Sequence, residues 1–211
     1  MKITVPGGVG QSGHVRTTAR CPHCGKEAVM EALGPHDFNL GDHYITGQRR
    51  CPNPTCLGHL FVVFHANELV KAYPSIRLDF DSENIPQTIL KTFQEAITCH
   101  SQGCFVAAAI MVRRTLEEVC AERGASGKDL KGRINDLRSK IVIPGELLDA
   151  MDELRILGND AVHVEAKEYD EISDTEVTVA IQFSKEILKS LYQYSSLLGK
   201  LRALKKPGGA A

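Results

Sequence analysis

The chain has 211 residues, of which 43% are hydrophobic and 24% charged, which is typical of a globular protein with one ordinary domain and a smaller one. Its formal net charge of −1 excludes an overall electrostatic attraction to nucleic acid or to anionic lipid. Apolar runs of membrane-spanning length are missing and Met1–Val5 is too short for a signal peptide, so we expect a cytoplasmic protein with no membrane partner.

Residues 1–14 are rich in glycine, and we predict a flexible arm there. The segment Gly8–Gly13 matches the dinucleotide fingerprint G-x-G-x-x-G. That fingerprint indicates a nucleotide site only where a strand precedes it and a helix follows. Here a β-rich segment that carries cysteines follows, so we set the nucleotide-loop interpretation aside.

Residues 15–80 contain two cysteine pairs, Cys21 with Cys24 and Cys51 with Cys56. Each pair has the spacing of a metal-binding knuckle, and seven cysteines in a cytoplasmic chain indicate metal ligands or buried thiols, not disulfides. A small segment with few large apolar residues also needs the folding energy that a metal supplies. We therefore predict a zinc ribbon with a structural Zn²⁺. Its strands are predicted at Val15–Arg20, Ala28–Leu33, Tyr44–Arg50 and His59–His65.

Two alternatives to a four-cysteine zinc site stay open at this point. The four cysteines could be independent buried thiols, since unpaired cysteines do occur in protein cores. His23, His59 or His65 could also replace one cysteine as a ligand, because histidine is a common zinc ligand.

Residues 81–204 are predicted to form a bundle of about five helices, followed by a tail at 205–211, which makes the fold α+β and mainly α. The second helix begins with an apolar segment, CFVAAAIMV, so it should be central or shared with a second copy in a homodimer. The last helix should open with a capping box at Ser173–Glu176. The first helix is predicted to begin near Asn84, the second to span Cys104–Arg123 and the third to span Lys128–Arg138. The fourth should start at Pro144–Gly145, and the fifth should run from Ser173 to about Leu204.

Arg114 and Glu118 are four residues apart on the second helix. They are either a solvated salt bridge or a charged pair that faces the fourth helix and binds a ligand there.

The fourth helix, within Glu146–His163, carries a row of three polar residues. Arg155, Asn159 and His163 recur every four residues, so they form one stripe beside the apolar face. Gly158 stands in the same helix, where a glycine costs about 1 kcal/mol relative to alanine. We expect another helix or a ligand to approach closely at that level.

The stripe has the side chains for metal-independent RNA cleavage. His163 can act as a general base or acid, Arg155 can hold a phosphate, and Asn159 can orient the imidazole or donate to an oxyanion. The alternative is structural: His163 would stabilise the helix C-terminus and Arg155 would pair with Asp152 or Glu153.

The segment Leu154–His163, LRILGNDAVH, resembles the LRxxGNxxxH helix of a bacterial domain-of-unknown-function family that is similar to the HEPN superfamily. Ala108–Glu118 resembles the second helix of that family, and the likeness covers roughly residues 85–200. HEPN domains are helical bundles, often dimeric, and many are ribonucleases of defence systems while others only bind. Gly158 stands where the HEPN motif has arginine, and Arg155 lies one turn earlier.

The resemblance implies an RNA- or nucleotide-binding homodimer that cleaves RNA without a metal in a bacterial defence or stress response. Two copies of the stripe would then share a cleft that Arg114 and Glu118 line. The alternative is a non-catalytic module in which the ribbon and the bundle bind nucleic acid or a partner protein.

Overall fold

The computed structural model describes Ile3, Gly7–His163 and Ile172–Leu204. The chain divides into two compact units, Met1–Asp79 and Phe80–Ala211, and the fold is α+β as the sequence predicts. We refer to them as the β unit and the helical unit.

The β unit contains a five-stranded antiparallel sheet in the order β1-β4-β5-β6-β7 and a separate hairpin of β2 and β3. β5 and β6 have the predicted bounds, and the remaining strands differ from the prediction. The strands are β1 (Gly10–Ser12), β2 (Thr18–Arg20), β3 (Glu27–Val29), β4 (Glu31–Gly41), β5 (Tyr44–Arg50), β6 (His59–His65) and β7 (Glu68–Tyr73).

Three departures from the predicted β pattern have physical causes. Part of the expected flexible arm is β1, which pairs with β4, and no helix follows it as a nucleotide loop requires. β4 continues through Gly34 and Pro35 because a register shift between Leu33 and Phe38 accommodates them. β7 lies beyond the last predicted strand, where it pairs with β6 as an edge strand.

A buried ion pair lies on the core face of this sheet. Arg49 and Asp37 are both fully buried, and the guanidinium donates to both carboxylate oxygens at 2.8 and 2.6 Å. Burial alone would raise the pKa of Asp37, but hydrogen bonds from Arg49, from the Val15 N–H and from His14 outweigh it and lower that pKa. Gly47 is required beside the pair because a Cβ there would lie 2.1 Å from an Asp37 oxygen.

In the described residues of the helical unit there are five helices, as predicted, when the last continuous helical run is counted once. That run passes through a π-helical turn before its final segment, α6. The helices are α1 (Gln87–Ser101), α2 (Phe105–Glu122), α3 (Leu130–Leu137), α4 (Gly145–Val162), α5 (Asp174–Leu188), the π turn (Lys189–Gln193) and α6 (Tyr194–Ala203).

Local capping explains where two of these helices, α3 and α5, begin. Asp129 caps α3 by accepting from the Gly132 N–H at 2.8 Å. The predicted capping box at the start of α5 is confirmed, with the Glu176 carboxylate accepting from the Ser173 N–H at 3.0 Å.

α2 is the central helix, packed against α1, α3, α4 and α5. It buries seven residues, including Ala108, Val112 and Leu116, which are at most 1% exposed. This confirms the predicted central position within the bundle. Within the part of the chain that the structure describes, none of the helices combines the length and apolarity needed to cross a bilayer.

Candidate functional site

The four predicted cysteines meet at one point of the β unit. The first pair lies in the turn between β2 and β3, and the second lies between β5 and β6, so two hairpins bring them together. All four sulfur atoms lie within 4.8 Å of one another. The distances from Cys21 to Cys56 and from Cys24 to Cys51 are both 3.7 Å between Sγ atoms. These residues could hold a metal ion.

Bond lengths test which ion fits. A tetrahedral site with metal–sulfur bonds of about 2.3 Å has sulfur–sulfur edges of about 3.8 Å. The two shortest sulfur–sulfur distances agree with this value. Four thiolates complete a tetrahedron and leave no position for a substrate, so such a site is structural.

Backbone and side-chain donors surround the sulfurs. The His23 N–H points at the Cys21 Sγ at 3.4 Å, and the Asn53 amide lies 3.8 Å from the Cys24 Sγ. The Lys26 N–H, with help from Asn53, lowers the pKa of the Cys24 thiol, which favours the thiolate that metals bind. Such second-shell donors orient metal ligands.

Among the described residues, the cluster consists of the four cysteines, and the three histidines that were alternative ligands are not part of it. The His23 ring bonds to the His59 carbonyl through Nε2 at 2.9 Å. The His59 ring bonds to Gln48, and the His65 ring packs on Tyr44 with centroids 4.6 Å apart.

The stripe residues lie on α4 and at its end. Arg155 and Asn159 are half-buried, and His163 is the exposed C-cap residue, whose N–H donates to the Asn159 carbonyl at 3.0 Å. Arg155 donates from Nε to Asp152 at 2.7 Å, which is the ion pair of the structural alternative. Among the described residues, the side chains of Asn159 and His163 make no hydrogen bond. The stripe therefore holds one oriented guanidinium and two polar groups that the fold does not use.

Gly158 marks a close approach of α2, as the sequence predicts. A Cβ at this position would lie 2.4 Å from the Arg113 Cβ. Because that atom is bonded directly to the backbone, it can move aside only if the backbone of α2 moves as well. Arg113 also donates to the Arg155 carbonyl at 3.2 Å and pairs with Glu117. Arg113 is thus the α2 residue beside the stripe, and sequence reasoning missed it.

Arg114 and Glu118 lie on the side of α2 that meets α1, which corrects the expectation that they face α4. The Thr92 hydroxyl of α1 donates to Glu118 at 2.9 Å, and Arg114 pairs with Glu118 at 3.4 Å. The reason is rotation about the helix, since Arg113 and Arg114 point about 100° apart and only the first reaches α4.

An open groove between α4 and α5 was also missed by sequence reasoning. It encloses about 490 Å³ and has apolar walls that include Leu154, Leu157, Val179 and Phe183. On α4 it lies roughly opposite the stripe, because Leu157 and Arg155 are about 160° apart around the helix. The exposed apolar residues Val179 and Phe183 of α5 were the available signal.

Fold and site together define a two-unit α+β protein with a four-cysteine cluster in one unit and a helical bundle in the other. A family match identifies the bundle. Residues 94–206, just over half of the chain, match the family described as domain of unknown function (DUF4145), and the protein belongs to that family. The cysteine cluster lies outside the matched residues. None of the curated proteins and none of the solved structures matches the chain.

Proposed function

We propose that this is an RNA-binding protein with an HEPN-like helical unit, in which Arg155, Asn159 and His163 form a metal-independent cleavage site. The observation that carries the proposal is the stripe itself. An exposed imidazole and a half-buried amide have no hydrogen-bond partner in the described part of the chain. The amide of Asn159 and the guanidinium of Arg155 lie one turn apart on α4, and the imidazole belongs to His163, the extended residue that directly follows the helix. Polar groups that do not stabilise the fold are available to a ligand.

Each stripe residue has a role in this proposal. Asp152 fixes Arg155 through Nε, and the guanidinium nitrogens beyond Nε can hold a phosphate. His163 takes the proton of the attacking 2′-hydroxyl. The bond between the 2′-oxygen and phosphorus forms as the bond from phosphorus to the 5′-oxygen breaks, which leaves a 2′,3′-cyclic phosphate, and the departing 5′-oxygen takes a proton from water. Asn159 donates to a phosphoryl oxygen, which gains charge in the transition state. The sequence resemblance to HEPN domains supports the same substrate.

We further propose that the four cysteines bind Zn²⁺, which holds the β unit together and takes no part in cleavage. The sulfur–sulfur distances of 3.7 Å and the two hairpin turns support a structural tetrahedral site.

Cleavage is tested with the full zinc-loaded chain and end-labelled single-stranded RNA in buffer without Mg²⁺. We expect the wild type to cleave and His163→Ala and Asn159→Ala to lose at least about a hundredfold in rate, as removal of a general base does. His43→Asn is the matched control, because His43 lies in the β unit and asparagine tolerates its positive φ of 62°. Equal cleavage by wild type and His163→Ala would exclude the enzyme.

A second candidate function, non-catalytic binding of single-stranded nucleic acid by the β unit, is favoured by one specific observation. The outer face of the five-stranded sheet carries exposed aromatic side chains. Phe61 is 51% exposed and lies beside Tyr73, its strand partner, which is 71% exposed. His59 packs against Phe61 with ring centroids 4.7 Å apart. Open aromatic platforms of this kind stack nucleic-acid bases.

This second candidate is tested by RNA affinity. Base stacking contributes about 1–3 kcal/mol per base, so Phe61→Ala and Tyr73→Ala should each weaken binding about 5- to 150-fold. Val29→Ala is the control, because Val29 is an exposed apolar residue on the β2–β3 hairpin. Unchanged affinity in both aromatic variants would remove the platform from consideration.

A further inference from the structure

The last segment of the helical unit has no core of its own. Tyr192 and Gln193 are the last buried residues of the chain that the structure describes, and every residue of α6 except the half-buried Ser196 is exposed. A row of apolar side chains nevertheless follows one side of α6. Its members are Tyr194, Leu197, Leu198, Leu201 and Leu204, each between 46% and 80% exposed. Their spacing of three and four residues is that of a helix that packs on another surface.

The groove between α4 and α5 has the complementary shape and charge. Its floor is apolar. Among the residues that the structure describes, its lining includes four acidic residues and no basic one: Glu146, Asp149, Glu153 and Glu176. Asp149 also pairs with Arg138 of the same chain at 3.0 Å. α6 has the opposite character, with Lys200 and Arg202 beside its apolar row and no acidic residue. The α4 wall from Glu146 to Leu157 is about 17 Å long, and the apolar row is about 15 Å long.

The groove cannot be filled by α6 of the same chain. α5, the π turn and α6 form one continuous helical run. Leu197 lies 14 residues beyond Phe183, the last groove residue on α5, which is about 21 Å along the helix. A straight helix cannot return to its own beginning, so an α6 that occupies the groove must come from a different molecule.

We propose that α6 of one copy occupies the α4–α5 groove of a second copy, and that the second copy returns the same contact. Antiparallel pairing of the two long helical runs around a two-fold axis at the π turn places Leu197 opposite Phe183 and Leu201 opposite Val179. Each α6 then lies in the other groove, and the contact closes as a dimer. Surface pairs such as Lys200 with Glu83 at 2.7 Å, both more than half exposed, exchange at little cost.

This dimer differs from the one expected from the sequence. The stripe lies on the side of α4 away from the groove, so each copy keeps its own open stripe and the two stripes do not share a cleft. The proposed dimer therefore does not depend on RNA cleavage. An experiment that disproves the dimer does not disprove cleavage, and one that disproves cleavage does not disprove the dimer.

The first test measures the mass of the full zinc-loaded chain by sedimentation over a range of concentrations. We expect twice the chain mass of 23.1 kDa for the wild type. Leu201→Glu should weaken the dimer at least about tenfold without unfolding the chain, because Leu201 is 64% exposed. Val142→Glu, a fully exposed control, and Val106→Glu, on α2, should remain dimeric. Two results would overturn the proposal. One is a wild type that is monomeric, whether or not it binds anionic vesicles, and the other is a dimer that only Val106→Glu disrupts.

Charge exchange identifies the occupant. A chain with Lys200→Glu and Arg202→Glu and a chain with Glu146→Lys and Glu153→Lys should each be monomeric, because like charges then meet. Mixed together, they should form a heterodimer in which both contacts pair opposite charges. If each of the two variant chains is monomeric on its own and their mixture is also monomeric, the reciprocal contact is contradicted.

Discussion

The two units of this protein are stabilised in different ways. Among the residues that the structure describes, the core of the β unit has eight buried hydrophobic residues, and two of them, Cys21 and Cys51, belong to the cysteine cluster. The helical unit buries a continuous apolar core around α2, with Ile89, Phe93 and Leu116 each at most 1% exposed. The β unit depends on a few contacts, the buried ion pair and the cysteine cluster that could hold a metal ion, and the helical unit depends on many apolar contacts.

This difference predicts where the chain is fragile. A few strong interactions fail all at once when one member is removed, whereas apolar burial is spread over many residues. Substitutions in the cysteine cluster or in the buried Arg49–Asp37 pair should therefore be severe and confined to the β unit, and substitutions in the helical unit should have graded effects.

The largest effect is expected from the cysteine cluster. Cys51→Ser should unfold the β unit and leave the helical unit folded, since structural zinc supplies on the order of 10 kcal/mol in small domains. Zinc content and a ¹H–¹⁵N correlation spectrum measure this. Cys104→Ser is the control, because Cys104 is exposed and lies outside the cluster. Full zinc content and an unchanged spectrum in Cys51→Ser would contradict the zinc assignment.

The buried ion pair should come next. Arg49→Ala leaves Asp37 buried without its partner, which should cost about 3–5 kcal/mol of β-unit stability in denaturant titrations. The neighbouring Arg50→Ala removes a surface pair with Glu31, whose side chains are more than two-fifths exposed, and should cost under about 1 kcal/mol. Equal losses of unfolding free energy in the two variants would mean that the buried ion pair contributes no more to stability than the surface pair does.

A glycine pair tests the helical unit with effects of opposite sign. Gly158→Ala forces a Cβ against Arg113, an overpacking cost of about 1–3 kcal/mol that exceeds or cancels the gain of about 1 kcal/mol in helix propensity. Gly199→Ala meets nothing within 4 Å and should increase the helicity of α6. Thermal melts and far-UV circular dichroism distinguish them; stabilisation by Gly158→Ala would show that α2 does not approach so closely.

The smallest effect should come from the capping box. Ser173→Ala removes one half of it and should cost about 1 kcal/mol of helical-unit stability. Ser82→Ala is the control, since the Ser82 side chain bonds to no residue in the described ranges. A melting temperature that is the same in both variants would mean that the box does not stabilise α5.

The sequence predicted the features that depend on local chemistry. The cysteine spacing, the capping box at Ser173 and the helix boundaries follow from short-range rules, and so does the close approach at Gly158. β5 and β6 were predicted to the residue because each is a short run bounded by turn-forming residues, Gly41–Asp42 before β5 and Pro52–Pro54 between the two strands, and β6 is rich in Val and Phe.

The features that it did not predict depend on distant residues. β7 and the long β4 form because β6 and β1 pair with them, and this pairing outweighs the local preference of their residues. Arg113, and not Arg114, contacts α4 because of the way α2 is rotated within the bundle. The groove exists only when α4 and α5 are placed side by side.

The central claim is that the stripe on α4 is a binding site for RNA. The most direct measurement is a titration of the ¹⁵N-labelled, zinc-loaded chain with a short single-stranded RNA, followed by amide chemical shifts. The account predicts that the amides of Arg155, Asn159 and His163 shift on binding and that His163→Ala reduces these shifts. RNA that binds without perturbing α4, or that shifts only the sheet face around Phe61, would contradict it.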